Sequence, residues 1–87
     1  MYLYLLQSKM DKSFYIGITD NIRRRLAEHN GGLSLATKNK RPWIIIYCEW
    51  YRSDIDARKR ERQLKKHKSG WRWIKERTEN SRIKEQN

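Results

Sequence analysis

The sequence predicts an α+β domain with the element order β-β-α-β-α-α, and three observations predict it. Residues 2 to 8 and 14 to 18 are strand-like segments separated by a polar stretch of hairpin length. Apolar residues recur at helical spacing after Asn21 and again after Ser53, each time behind capping residues. Between these helices lies an apolar, β-branched run, Trp43 to Tyr51. At 87 residues the chain holds one domain. A domain of this size buries only about 60% of its unfolded surface, so its core is small. We place the domain at residues 1–76 and expect the charged segment 77–87 to fray.

The first two strands set the chemistry of the sheet. Paired antiparallel with Tyr4 opposite Tyr15, they place Tyr2 across from Gly17, and these four residues share one side. Leu3, Leu5, Phe14, Ile16 and Ile18 then form an apolar opposite side. A strand glycine across from a ring leaves room for that ring or for a ligand backbone.

Thr19, Asp20 and Asn21 offer caps for the first helix, which carries Ile22, Arg25, Leu26 and His29 and stops at Asn30-Gly31-Gly32. Residues 31–41 read as a loop, expected to order on a polyanion through Lys38, Lys40 and Arg41. The run after Pro42 suits a central strand. Ser53 with Asp56 opens the second helix, whose apolar stripe of Ala57 and Leu64 also contains Glu61. From Gly70 a third helix packs through Trp71 and Ile74, with Trp73 less committed.

Composition narrows the partner. Against 10 acidic residues stand 21 Lys and Arg, a formal net charge of +11. Such a charge is best matched by nucleic acid and less well by an anionic membrane surface. The longest apolar run, Trp43 to Cys48, is far short of the roughly 20 residues of a spanning helix. Met1 to Leu6 lacks the basic segment of a signal peptide. Cys48 has no cysteine to pair with and is expected to be a buried, inert thiol. His29 and His67 lie too far apart to suggest a zinc site. These features describe a cytoplasmic protein, expected to be monomeric.

Candidate site residues follow from position. Two phenols on one face of a hairpin are more often packing than catalysis, and Arg25 with His29 is by itself an ordinary pair on a basic helix. Glu61 is sharper, because a carboxylate on an apolar stripe is costly unless it is paired or bound to a metal. Either an ion pair with Arg25 or a nearby lysine, or a metal, satisfies it. The basic residues around it, including Lys65 and Lys66, form a solvated face that also suits a phosphate track.

Taken in order, these residues resemble the signature of the GIY-YIG nucleases. Tyr2-Leu3-Tyr4 is followed by Tyr15-Ile16-Gly17, then by Arg25, His29 and the Glu61-bearing run Arg-Glu-Arg-Gln-Leu-Lys-Lys. The chain looks like the family's small stand-alone members, relatives of the nuclease region of bacterial excision-repair (UvrC-type) proteins, over residues 2 to about 75.

The resemblance implies a three-stranded antiparallel sheet flanked by helices, and Mg²⁺- or Mn²⁺-dependent hydrolysis of DNA phosphodiesters with one ion. It implies that Tyr4 and Tyr15 stand at the water and the scissile phosphate; a tyrosine base there would have its pKa pushed down by Arg25, a metal and the overall positive potential. Arg25 would neutralise phosphate charge, His29 would assist, and Glu61 would hold the cation. Tyr2, Gly17, Lys38, Lys40, Arg41, Lys65 and Lys66 are the expected substrate contacts. Ile18 departs from the pattern, standing where some members carry lysine. The alternative is a binding module of the same fold without turnover, and structured RNA is the alternative to DNA.

Overall fold

The computed structural model describes residues 1–66 and 68–84. Its elements are β1 (Tyr2–Ser8), β2 (Phe14–Thr19), α1 (Ile22–Asn30), a short 3₁₀ turn (Lys38–Lys40), β3 (Trp43–Trp50), α2 (Asp54–Lys66) and α3 (Lys68–Arg77). The three strands form one antiparallel sheet in the order β2-β1-β3. The expected α+β class and β-β-α-β-α-α order hold.

β1, and not β3, is central. Leu3 through Ser8 are all buried, as a strand paired on both edges and covered on both faces must be. β3 is an outer strand whose β-branched run buries by packing inward. An irregularity beside Leu5 and Leu6 lets Ile46 and Tyr47 both join the core on one side. Past that point Cys48 and Trp50 are exposed, contrary to the buried thiol expected.

The hairpin register is offset by two residues from the expected one. Tyr4 lies opposite Gly17, Leu6 opposite Tyr15 and Tyr2 opposite Thr19. An even offset leaves every side chain on its expected face. Leu3, Leu5 and Ile46 therefore pack with Leu64 of α2 and Ile74 of α3, joined by Phe14, Ile16 and Ile18. Ile18 belongs to this core side, away from the phenols. Tyr4, Leu6 and Trp43 pack on the other side with Tyr15, Ile45 and Leu26 of α1.

The caps are the anticipated ones. Asn21 Oδ1 accepts from the backbone N–H of Arg24 at 3.0 Å, and Ser53 Oγ accepts from that of Ile55 at 3.2 Å. After α1 the chain passes through Gly32 at φ +80°, where a side chain would be strained.

α3 begins at Lys68, ahead of Gly70. Beyond Glu76, where fraying was expected, the described chain up to Lys84 touches the domain at two places. Thr78 is buried, and Gln7 bonds both the N–H of Ile83 (2.7 Å) and its carbonyl (3.3 Å). These bonds satisfy a buried amide that the strand pattern left without a partner. Residues 85–87 of the expected tail, and His67, lie outside the described residues.

Candidate active site

Gly17 makes the site possible. A Cβ built there would fall 2.6 Å from Cζ of Tyr4 and closer still to its hydroxyl. The space beside the glycine is thus filled by the Tyr4 ring, and a ligand backbone does not enter it. The ring crosses β2 at this gap and meets α1.

There the Tyr4 hydroxyl and His29 Nε2 share a hydrogen bond of 2.8 Å. His29 is fully buried, and its Nδ1 is 2.7 Å from Thr37 Oγ1, also fully buried. The Thr37 carbonyl accepts from the indole of Trp43 at 2.8 Å. Asn30 holds the Trp43 backbone at both its N–H (2.7 Å) and its carbonyl (3.0 Å). The loop after α1 is therefore anchored through Thr37. Thr37 had no periodic or motif signal in the sequence, because its role depends on a contact made by the folded loop.

Tyr15 completes an aromatic cluster. Its ring centroid is 6.5 Å from Tyr4, 5.1 Å from His29 and 6.4 Å from Trp43. Arg25 lies beside the Tyr4 hydroxyl and 3.4 Å from Glu28. Glu61, on α2, is near enough to Tyr4 to oppose ionisation of the phenol. Its charge partner among the described residues is Lys65 at 3.4 Å, so the ion pair is with a neighbouring lysine and not with Arg25.

The protein's own groups do not acidify Tyr4. Burial raises the pKa of Tyr4; Arg25 pulls it down, Tyr15 and Glu61 push it up, and the net direction is upward. Tyr4 is a neutral phenol at neutral pH, not a phenolate. Burial, and then Arg25, lowers the pKa of His29, which is therefore an uncharged imidazole. A proton passed along this 2.8 Å bond alone would leave a phenolate beside an imidazolium, so the pair suits a relay in which Tyr4 gains a proton as it gives one up.

The remaining residues surround the cluster at different distances. Tyr2 lies at the far end of β1, between Thr19 and Trp50. Lys40 pairs with Asp11 of the hairpin turn at 3.5 Å, and Arg41 donates to the Lys38 carbonyl at 2.7 Å. Lys65 and Lys66 form the exposed last turn of α2.

Among the described residues no three His, Cys, Asp or Glu side chains gather as metal ligands. Glu61 fits a different kind of site. Its side chain is 22% exposed, its lysine contact is long, and it offers a hard oxygen. Mg²⁺ is commonly held by one or two carboxylates, the rest of its shell being water and substrate phosphate.

Residues 1–80 match the GIY-YIG catalytic domain. The chain belongs to the GIY-YIG family, a family of nucleases. Its relatives include a UPF0213 protein of Staphylococcus haemolyticus, 38% identical over 74% of this chain and 78% of the relative. A UPF0213 protein of Syntrophus aciditrophicus is 43% identical over 75% and 76%. One from Listeria innocua is 36% identical over 93% of this chain and 92% of its own length. No solved structure matches the chain. Within the described residues no helix is long and apolar enough to cross a membrane.

A second polar cluster went unread in the sequence. Glu49 accepts from Tyr47, from Tyr51 at 2.6 Å, and from Arg60 Nε at 3.0 Å and Nη2 at 3.2 Å. It stands on the opposite sheet face from Tyr4 and ties β3 to α2. An acidic residue inside an apolar strand was the available signal.

Proposed function

We propose that this GIY-YIG protein is an endonuclease that hydrolyses DNA phosphodiesters with the help of one divalent cation, Mg²⁺ or Mn²⁺. The observation that carries the reading is the 2.8 Å bond between Tyr4 and a buried, uncharged His29, with Arg25 beside the same phenol and Glu61 within electrostatic reach of it. The net charge of +11 supplies the attraction to the backbone of a nucleic acid.

In this reading the attacking water gives its proton to the Tyr4 oxygen as Tyr4 passes its own to His29 Nε2. The phenol stays neutral through the relay, and His29 holds the proton as an imidazolium only until the P–O bond to the leaving oxygen breaks and that oxygen or solvent takes the proton. With Thr37 Oγ1 accepting from Nδ1–H, the imidazole is in the tautomer that accepts at Nε2. Arg25 lies where a guanidinium can neutralise the phosphate oxygens, and Tyr15 can donate to one of them. Glu61 would hold the cation, whose chemistry is to stabilise charge on the phosphate and the leaving oxygen. Arg25, Tyr15 and Glu61 all act on the phosphate in this reading, so the substrate is selected by shape more than by sequence.

The test is cleavage of labelled plasmid and branched DNA with and without Mg²⁺ or Mn²⁺, comparing wild type with Glu61→Ala. Metal-dependent nicking should fall at least about a hundredfold in the variant, while DNA affinity measured without metal stays within a few-fold. Clean binding with no cleavage by the wild type on any substrate would leave a binding module of the same fold.

A further inference from the structure

α1 covers only half of the tyrosine face. Leu26 packs against Trp43, Ile45 and Leu6, at one end of the sheet. At the other end Tyr2 pairs with Trp50, and Tyr4 with Cys48, so all four side chains share the face that carries the site. Trp50 is 61% exposed there. The other three tryptophans are engaged. Trp43 is buried, Trp71 meets Phe14 edge-on at 5.0 Å, and Trp73 carries Arg77 at 4.1 Å and Arg60 at 5.0 Å. Among the described residues Trp50 has no aromatic or cationic ring partner.

Its position is specific. As the diagonal neighbour of Tyr4 across the ladder, Trp50 stands roughly 7–8 Å away, backbone to backbone. At this end β2 also leaves through Thr19, opposite Tyr2, into Arg23-Arg24-Arg25 of α1, and Arg52 follows Trp50 by two residues. An exposed indole at the end of the sheet where Arg52 follows β3 and the arginines of α1 begin, on the same face as a phosphate-directed site, suits an unstacked base.

We infer that Trp50 is a stacking platform for an unpaired base next to the phosphate presented to Tyr4. The preferred substrate is then nucleic acid with a single-stranded or flipped nucleotide at the cleavage point, such as a flap or bulge. A flush duplex keeps its bases stacked on each other and cannot offer one without an unpairing cost. The inference rests on the nuclease reading for its substrate but concerns binding alone, so its test runs without turnover.

That test uses the full chain with Glu61→Ala, without divalent metal, and fluorescence anisotropy on a flush duplex and on the same duplex carrying a single-stranded flap. The flap should bind more tightly. Adding Trp50→Ala should weaken flap binding roughly five- to a hundredfold, the range that one base–aromatic stack carries, and duplex binding less than about twofold. Trp50→Phe should restore most of the difference and guards against a folding defect in the alanine variant. Equal loss on both substrates, or no loss on either, overturns the inference. So does a concentration-dependent dimer in sedimentation that Trp50→Ala dissolves, which would make a second copy of the chain the occupant of this face. Failure of the nuclease reading would appear separately, as absent cleavage with the flap preference intact.

Discussion

The hydroxyl end of Tyr4 occupies the space that any side chain at position 17 would need, so Gly17 and Tyr4 are two halves of one packing decision. Gly17→Ala forces the ring away from His29 and should cost about 1–3 kcal/mol by overpacking. Cleavage should fall about a hundredfold, because a displacement near 1 Å is enough to lose that much. Thermal denaturation and turnover measure the two effects. In a Tyr4→Ala background the same substitution should cost far less stability, and additive losses in that cycle would refute the coupling.

His29 makes the folded state sensitive to mild acid. Burial, then Arg25, holds its pKa below the ordinary 6.5, so the unfolded chain takes up a proton first as pH falls. The stability associated with a neutral His29 is fully present above pH 6.5 and is lost as pH falls from there through the folded value. Denaturation midpoints should be level near neutrality and decline below that point. His29→Gln, which cannot protonate, should flatten the decline and abolish cleavage. An identical slope in both proteins would mean that another group titrates.

Glu49 should matter to stability and little to catalysis. Glu49→Ala leaves Arg60 and the two phenols without their acceptor, a loss of about 2–4 kcal/mol, below the upper range for a fully buried pair. Burial opposes its ionisation, but Arg60, Tyr47 and Tyr51 outweigh that and hold its pKa below the ordinary 4.5, while Tyr51 is pushed up to about 12. Its contribution is therefore present above pH 4.5 and lost as pH falls through the folded value. Chemical denaturation across that range, with cleavage assayed at low temperature where the variant stays folded, separates the roles. A large drop in turnover would tie this face to the reaction.

Alternation in the first hairpin and helical spacing after Asn21 and Ser53 are local properties, and they determined the element order and the side of the sheet each strand residue faces. A carboxylate among Ala57 and Leu64 marked Glu61 for the same reason: a helix stripe can be read from one segment alone. Register could not be read this way. An offset of two residues keeps every face and differs only in cross-strand partners, so Tyr4 opposite Gly17 was decided by how a ring packs over a missing side chain. The central place of β1, the exposure of Cys48, the Thr37 bond to His29, the docking of Ile83 on Gln7 and the Glu49 cluster were decided by contacts between distant parts of the chain. The direction of the Tyr4 pKa belongs with them, because the sequence supplies the neighbouring charges while only the packed structure sets how much water the phenol keeps.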